Sequence, residues 1–136
     1  MARLGVPAHI TIHFPFAPPD AVDEAAVAEL VAGRRAFAFE LASVEYFGDD
    51  VTYLAPRPAE PFRELIGATE ARWPDYPRYD GAFADVVPHL TLGLTRLQPD
   101  LELPIACAAT AVTLLEEGAD LRWRVRRRFE LQAVVA

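Results

Sequence analysis

The chain has 136 residues, a length that suits a single domain (residues 1–136) with a proper hydrophobic core, and its 52% hydrophobic content argues against a disordered polypeptide. The net charge is −7 and all 13 basic residues are arginine, which argues against an extended duplex-binding surface, because neutralising phosphates dominates that kind of affinity. A small phosphorylated nucleotide or an RNA terminus held by a few arginines remains compatible with that charge.

Cys107 is the single cysteine, which rules out an intrachain disulfide and fits a reducing compartment. It lies in Ala-Cys-Ala-Ala, where an apolar setting makes a poor nucleophile and a good core residue. No N-terminal run has the length of a signal-peptide core, and no stretch reaches the ~18 apolar residues of a membrane span. The expectation is a cytoplasmic, monomeric protein with no membrane partner.

Residues 8–14 alternate polar and apolar, the period of a half-buried strand, with Ile10, Ile12 and Phe14 inward and His9, Thr11 and His13 outward. Pro15, Pro18 and Pro19 stop it. Asp20 is placed as a helix N-cap, with Asp23 and Glu24 in the first turn, a stripe of Val22, Ala26, Leu30 and Val31, and Gly33 at the end. Residues 36–47 read as a strand and 51–55 as its hairpin partner, across the turn Gly48-Asp49-Asp50. A helix is predicted from about Glu60 to Trp73, with Phe62, Leu65, Ile66 and Thr69 on one face and Pro74 closing it.

Residues 74–87 form a long irregular approach carrying Tyr76, Tyr79, Gly81 and Phe83, of the kind that binds ligands or simply packs on a surface. A strand follows over 88–94, with Leu90, Leu92 and Leu94 inward and His89 and Thr91 outward. Residues 95–103 read as loop, 105–116 as one strand, 117–120 as a turn and 121–131 as the closing strand. Each half thus has a His-x-Thr strand and a hairpin, a weak internal duplication. The last strand puts Arg122, Arg124, Arg126 and Arg128 on one face. Those cations could bind phosphate, but a charged solvent face that deters edge pairing is the favoured reading. Trp123 and Phe129 would then be core.

The two motifs, Pro7-Ala8-His9-Ile10-Thr11-Ile12 and Pro88-His89-Leu90-Thr91-Leu92, carry the chemistry. One His-x-Thr occurs by chance; two with the same alternation and a proline just upstream are more informative. Two imidazoles brought together suit general acid–base work, since imidazoles titrate near neutral pH. On a phosphodiester, one His takes a proton from the attacking oxygen and the other gives one to the leaving oxygen. Thr11 and Thr91 would donate to the non-bridging oxygens. No metal or other cofactor is called for. His9 and His13 are i and i+4, about 13 Å apart on a strand and too far to share an ion, so His13 is read as a flank or surface residue.

These motifs resemble the 2H phosphoesterase superfamily, in its 2′-5′ RNA ligase-like, bacterial cyclic phosphodiesterase branch. That branch is marked by His-apolar-Thr/Ser-apolar twice. Phe14-Pro15-Phe16, Tyr53-Leu54-Ala55-Pro56 and Tyr79-Asp80-Gly81-Ala82-Phe83 are also similar to it. The resemblance spans essentially the whole chain. It implies an α+β fold, a single bilobal domain of two pseudo-symmetric lobes with antiparallel sheets around a central cleft. It also implies hydrolysis or reversible ligation at 2′,3′-cyclic phosphate or 2′-5′ linkages without metal, with His9 and His89 as acid and base and Thr11 and Thr91 on the phosphate. One departure is the helix this family places after the second motif: Thr95 to Leu103 is short and interrupted by Pro99.

Around that centre, Tyr79 and Phe83 are candidates to stack on a base, and Arg124 and Arg126 to bind phosphate. Three activities compete: a phosphodiesterase with His9 and His89 catalytic; a non-catalytic nucleotide- or phosphate-binding module; and a 2′-5′ RNA ligase. Intact His and Thr in both motifs weigh against the second. The acidic charge weighs against the third.

Overall fold

The computed structural model describes residues 8–77 and 87–133. It is an α+β fold with two α-helices, α1 (Glu24–Val31) and α2 (Glu60–Arg72), among the described residues. The strands are β1 (Phe37–Phe47), β2 (Val51–Arg57), β3 (Leu90–Gly93), β4 (Ile105–Ala109), β5 (Ala111–Glu117) and β6 (Trp123–Glu130). They form a four-stranded sheet in the order β3-β2-β1-β4 and a two-stranded sheet of β5 and β6. The β1–β2, β2–β3 and β5–β6 pairs are antiparallel.

The chain divides into two compact units. One holds residues 17–38 and 108 onward; the other holds 8–16 and 39–107.

In the first unit, α1 buries Ala26, Val27 and Val31 and contacts β6, whose Phe129 is buried, with Leu131 just beyond it. The capping residue is Asp23, not the expected Asp20: its carboxylate accepts from the Ala26 N–H at 3.2 Å. Asp20 falls instead in a short 3₁₀ turn over Pro19–Ala21, because the prolines make a separate turn before the helix starts. Gly33 follows α1 at φ +77°, a left-handed conformation suited to glycine. The end of β6 is tied back by Gln132, which donates to Arg34 O at 2.7 Å and accepts from Ala36 N at 2.8 Å.

The expected single strand over 105–116 is two strands broken at Thr110. β4 joins the four-stranded sheet and β5 pairs with β6, while the Thr110 carbonyl accepts from Leu131 N at 2.9 Å. The single arginine face expected on β6 is also absent. The register slips between Leu114 and Leu115, which pair with Arg127 and Val125, so Arg126 is the extra residue of a bulge. The bulge reverses the alternation: Val125 is exposed, Arg126 is half-buried and Phe129 is buried. Trp123 is half-buried.

In the second unit, α2 buries Phe62, Leu65, Ile66 and Thr69, the four positions its spacing predicts. Phe62 meets Phe39 of β1 edge to face, with centroids 5.0 Å apart, and Leu41, Leu54 and Pro56 are buried in the same unit. In the β1–β2 register Leu41 opposes Pro56 and Val44 opposes Leu54, whereas Ser43, Glu45 and Phe47 oppose Ala55, Tyr53 and Val51 on the other face. That second face carries the residues described next.

Candidate functional site

Both His-x-Thr motifs belong to the second unit. The first, contrary to its alternating pattern, is not a strand: among the described residues 8–14 join no ladder. It is held by side chains instead. His13 donates through Nε2 to the carbonyl of Tyr76, just past the end of α2. Its ring meets Phe16 edge to face, and Phe16 in turn meets Trp73 at 5.0 Å and Tyr76 at 6.2 Å between centroids. His13 is therefore half-buried and Phe14 is 47% exposed, the reverse of the expected alternation. His13 Nδ1 is buried without a hydrogen-bond partner among the described residues. Within the motif, His9 Nε2 and Thr11 Oγ1 form a hydrogen bond of 3.1 Å.

The second motif enters β3 one residue after His89. Thr91 and Leu90 stand opposite Tyr53 and Leu54 of β2, so Thr91 and Tyr53 share a face. His89 Nδ1 donates to the Val87 carbonyl at 2.7 Å. A carbonyl can only accept, so this bond makes Nε2 the lone-pair nitrogen of the neutral ring. The ring is framed by two aromatics. Phe47 of β1 meets it at 5.1 Å and Tyr53 at 5.5 Å, both edge to face, while Phe47 and Tyr53 stack on each other at 4.2 Å. Burial, and secondarily the negative charge of Glu45 across the sheet, push the Tyr53 phenol up from its ordinary value, so it keeps its proton.

The loop after β3 is pinned down. The hydroxyl of Thr52, which is wholly buried, donates to Thr95 O and accepts from Leu97 N, both at 2.8 Å. Tyr46 donates to Leu97 O at 2.8 Å, and the Arg96 guanidinium lies 3.9 Å from the Tyr46 ring centroid. A Cβ on Gly93 would stand 2.7 Å from Leu97 Cδ1, so the loop closes over a position with no side chain. Leu94, expected inward, is 68% exposed, because the chain leaves the sheet at Gly93. Residues 95–103 contain no helix, as their length and Pro99 predict.

Tyr79 and Phe83 lie outside the described residues. Arg124 and Arg126 belong to the first unit and carry protein partners. Arg124 binds Asp120 at 2.7 Å; Arg126 binds Glu24 at 2.9 Å and also the Pro19 carbonyl. Arg127 reaches Glu24, and Arg128 reaches Glu130 and Thr110. Cys107 is free and half-buried, its Sγ 3.6 Å from the Ile105 carbonyl. Among the described residues no three His, Cys, Asp or Glu side chains gather to hold a metal ion. No helix among them is long and apolar enough to cross a membrane.

A family model described as the 2′-5′ RNA ligase superfamily matches residues 2–131. The chain belongs to that superfamily. Solved structures agree on the fold. TT0787 of Thermus thermophilus superposes with a TM-score of 0.70 at 18% identity, over 94% of this chain and 81% of that one. Escherichia coli LigT complexed with 3′-AMP gives 0.63 at 18% identity, over 91% and 76%. A protein described as a phosphoesterase gives 0.61 at 19%, over 92% and 77%. No curated protein matches the chain.

For this member of the superfamily, the surroundings of the second motif are richer than the motif alone foretold. Phe47, Glu45 and Tyr53 reach it only through the β1–β2–β3 register. The one signal in the sequence was Tyr53-Leu54-Ala55-Pro56, noted as a phrase of the family and not as a contributor to the site.

Proposed function

We propose that the protein is a phosphodiesterase acting on 2′,3′-cyclic phosphates of a nucleotide or RNA end, or on related 2′-5′ linkages, with His9 and His89 as the acid–base pair. What carries this reading is the occurrence of both motifs, each with its His and Thr intact, in one compact unit of a superfamily member. LigT, similar in fold, was captured with 3′-AMP, a nucleoside monophosphate. In the hydrolysis, a water oxygen attacks phosphorus and loses a proton to one imidazole. One ribose oxygen–phosphorus bond breaks, and the other imidazole, protonated, gives its proton to that ribose oxygen. Neutral His89 offers Nε2 for the first step, since Nδ1 is engaged by Val87. His9 then supplies the second proton. Thr11 and Thr91 hydroxyls donate to the non-bridging oxygens, where charge concentrates. The two imidazoles complete the proton balance, so no cofactor enters. A small phosphorylated ligand fits the acidic chain better than a long nucleic acid.

The superfamily's description favours one further reading, 2′-5′ RNA ligation, in which a ribose hydroxyl in place of water attacks the cyclic phosphate and one ribose oxygen leaves with the proton from the second imidazole. The test is hydrolysis of 2′,3′-cyclic mononucleotides in the presence of EDTA by the parent, His9→Ala and His89→Ala proteins. Loss of two or more orders of magnitude in each variant is expected, within the roughly 10²–10⁴ typical of general acid–base groups. Full activity in both variants would sink the reading. Joining of RNA ends by the parent would establish the ligase direction. Binding of these nucleotides with no turnover would point to a non-catalytic module.

A further inference from the structure

Tyr53 is the most deeply placed aromatic around the second motif. It is 8% exposed, its ring stacks on Phe47 and meets His89, and its Cα partner across the β2–β3 ladder is Thr91. Directly opposed residues in an antiparallel pair hold their Cβ atoms about 4.5–5.5 Å apart on one face of the sheet. The Tyr53 side chain therefore leaves the sheet beside that of Thr91 and against the ring of His89.

The ring is fully accounted for by packing; the hydroxyl is not. Tyr53 is buried as a residue, but its hydroxyl oxygen is not one of the buried side-chain atoms that lack a partner among the described residues. Among the described residues the Tyr53 hydroxyl donates no hydrogen bond, whereas Tyr46, one strand away on the other face, donates to Leu97 O at 2.8 Å. Burial first, and then the negative charge of the neighbouring Glu45 carboxylate, which accepts from the Ser43 hydroxyl at 2.8 Å, disfavour ionisation of the phenol. A protonated donor is thus held rigidly next to a threonine and a histidine, with nothing described for it to donate to.

We propose that the Tyr53 hydroxyl is a substrate-binding group, donating a hydrogen bond to a phosphate oxygen alongside Thr91. The inference rests on the reading of His89 and Thr91 as part of a phosphodiester site. It extends the phosphate-binding set from the two motifs to β2. A phenol is longer than a threonine side chain, so it reaches over the phosphate from the sheet while Thr91 donates from nearer the backbone. Its rigidity, set by Phe47 and His89, means that little side-chain freedom is lost on binding.

Tyr53→Phe is the informative variant, because it keeps the ring and removes one oxygen. Two readouts are compared with the parent: hydrolysis of 2′,3′-cyclic AMP, and calorimetric binding of 3′-AMP, with thermal unfolding as the check on the fold. The expected result is a fall in kcat/KM of about ten- to a hundredfold, at or below the loss of one preorganised donor, and about tenfold weaker 3′-AMP binding, with the melting temperature essentially kept. A parent that hydrolyses the substrate and a Tyr53→Phe protein equal to it in both readouts would overturn the role of Tyr53 and leave the phosphodiesterase standing. A parent without turnover that binds 3′-AMP, and binds it tenfold less well as Tyr53→Phe, would uphold Tyr53 and refute hydrolysis. A parent that neither binds nor hydrolyses would overturn both.

Discussion

His89 donates its Nδ1–H to the carbonyl of Val87, two residues before it, at 2.7 Å. The bond sets the proton on the ring nitrogen that faces the backbone and leaves Nε2 with its lone pair. Phe47 and Tyr53 hold the ring plane by edge contacts. The neutral form should therefore be the Nδ1–H tautomer. A long-range ¹⁵N–¹H correlation spectrum will show it, with Nδ1 of His89 in the protonated range and Nε2 in the bare range. The opposite pattern would remove the structural basis for His89 as a proton acceptor through Nε2.

Thr52 is the buried polar group on which the loop after Thr91 depends. Its single hydroxyl serves both the Thr95 carbonyl and the Leu97 amide. Valine has nearly the same shape and neither function, so Thr52→Val leaves two backbone groups unpaired in a closed environment. A loss of about 1–3 kcal/mol is expected, the usual cost of an orphaned buried donor or acceptor. Denaturant unfolding measures it, and a midpoint equal to the parent's would contradict the arrangement.

How much of this was legible beforehand depended on whether one segment could specify its own structure. The face of α2 was readable in full, because Phe62, Leu65, Ile66 and Thr69 repeat at helical spacing and nothing distant alters that. The β1–β2 hairpin was readable from alternation and the Gly48 turn. Alternation at 8–14 misled, since it records which side chains face a core but not whether another strand lies alongside; here His13 and Phe16 do the holding. Alternation on β6 misled because a bulge costs one residue of register and leaves no mark in composition. The two His-x-Thr motifs themselves were evident from their repetition. Tyr53 and Phe47 were not assigned to the site, because their nearness to His89 follows from strand pairing between segments far apart in sequence.

The start of α1 offers a clean comparison between two aspartates. Asp23 caps the helix by accepting from Ala26 N, and Asp20 sits in the preceding 3₁₀ turn. Asp23→Ala should cost about 1 kcal/mol, the typical value of a lost N-cap. Asp20→Ala, a surface change without a cap to lose, should stay within about 0.5 kcal/mol. Thermal or denaturant unfolding of the two variants decides it. Equal losses, or a larger one at Asp20, would mean that the helix begins at the earlier residue.

Among the described residues, the carboxyl shifted furthest from its ordinary value lies in the turn between β5 and β6. Hydrogen bonds from the Arg124 guanidinium, and then from the Arg122 backbone, lower the Asp120 carboxyl to about 2 from an ordinary 3.8. A depressed carboxyl stabilises the folded turn where it is ionised, so this contribution is complete above the ordinary carboxylate range. It fades as the pH falls below 3.8 and is gone once the pH has passed below about 2. The pair is exposed, and added salt should shrink the shift. An NMR titration of the Asp120 carboxyl carbon should give a midpoint well under that of a free aspartate. Arg124→Ala should move the midpoint back towards 3.8, because the largest cause is removed. A parent midpoint already near 3.8 would mean that the Arg124 guanidinium is not committed to Asp120 in solution and is available to another anion.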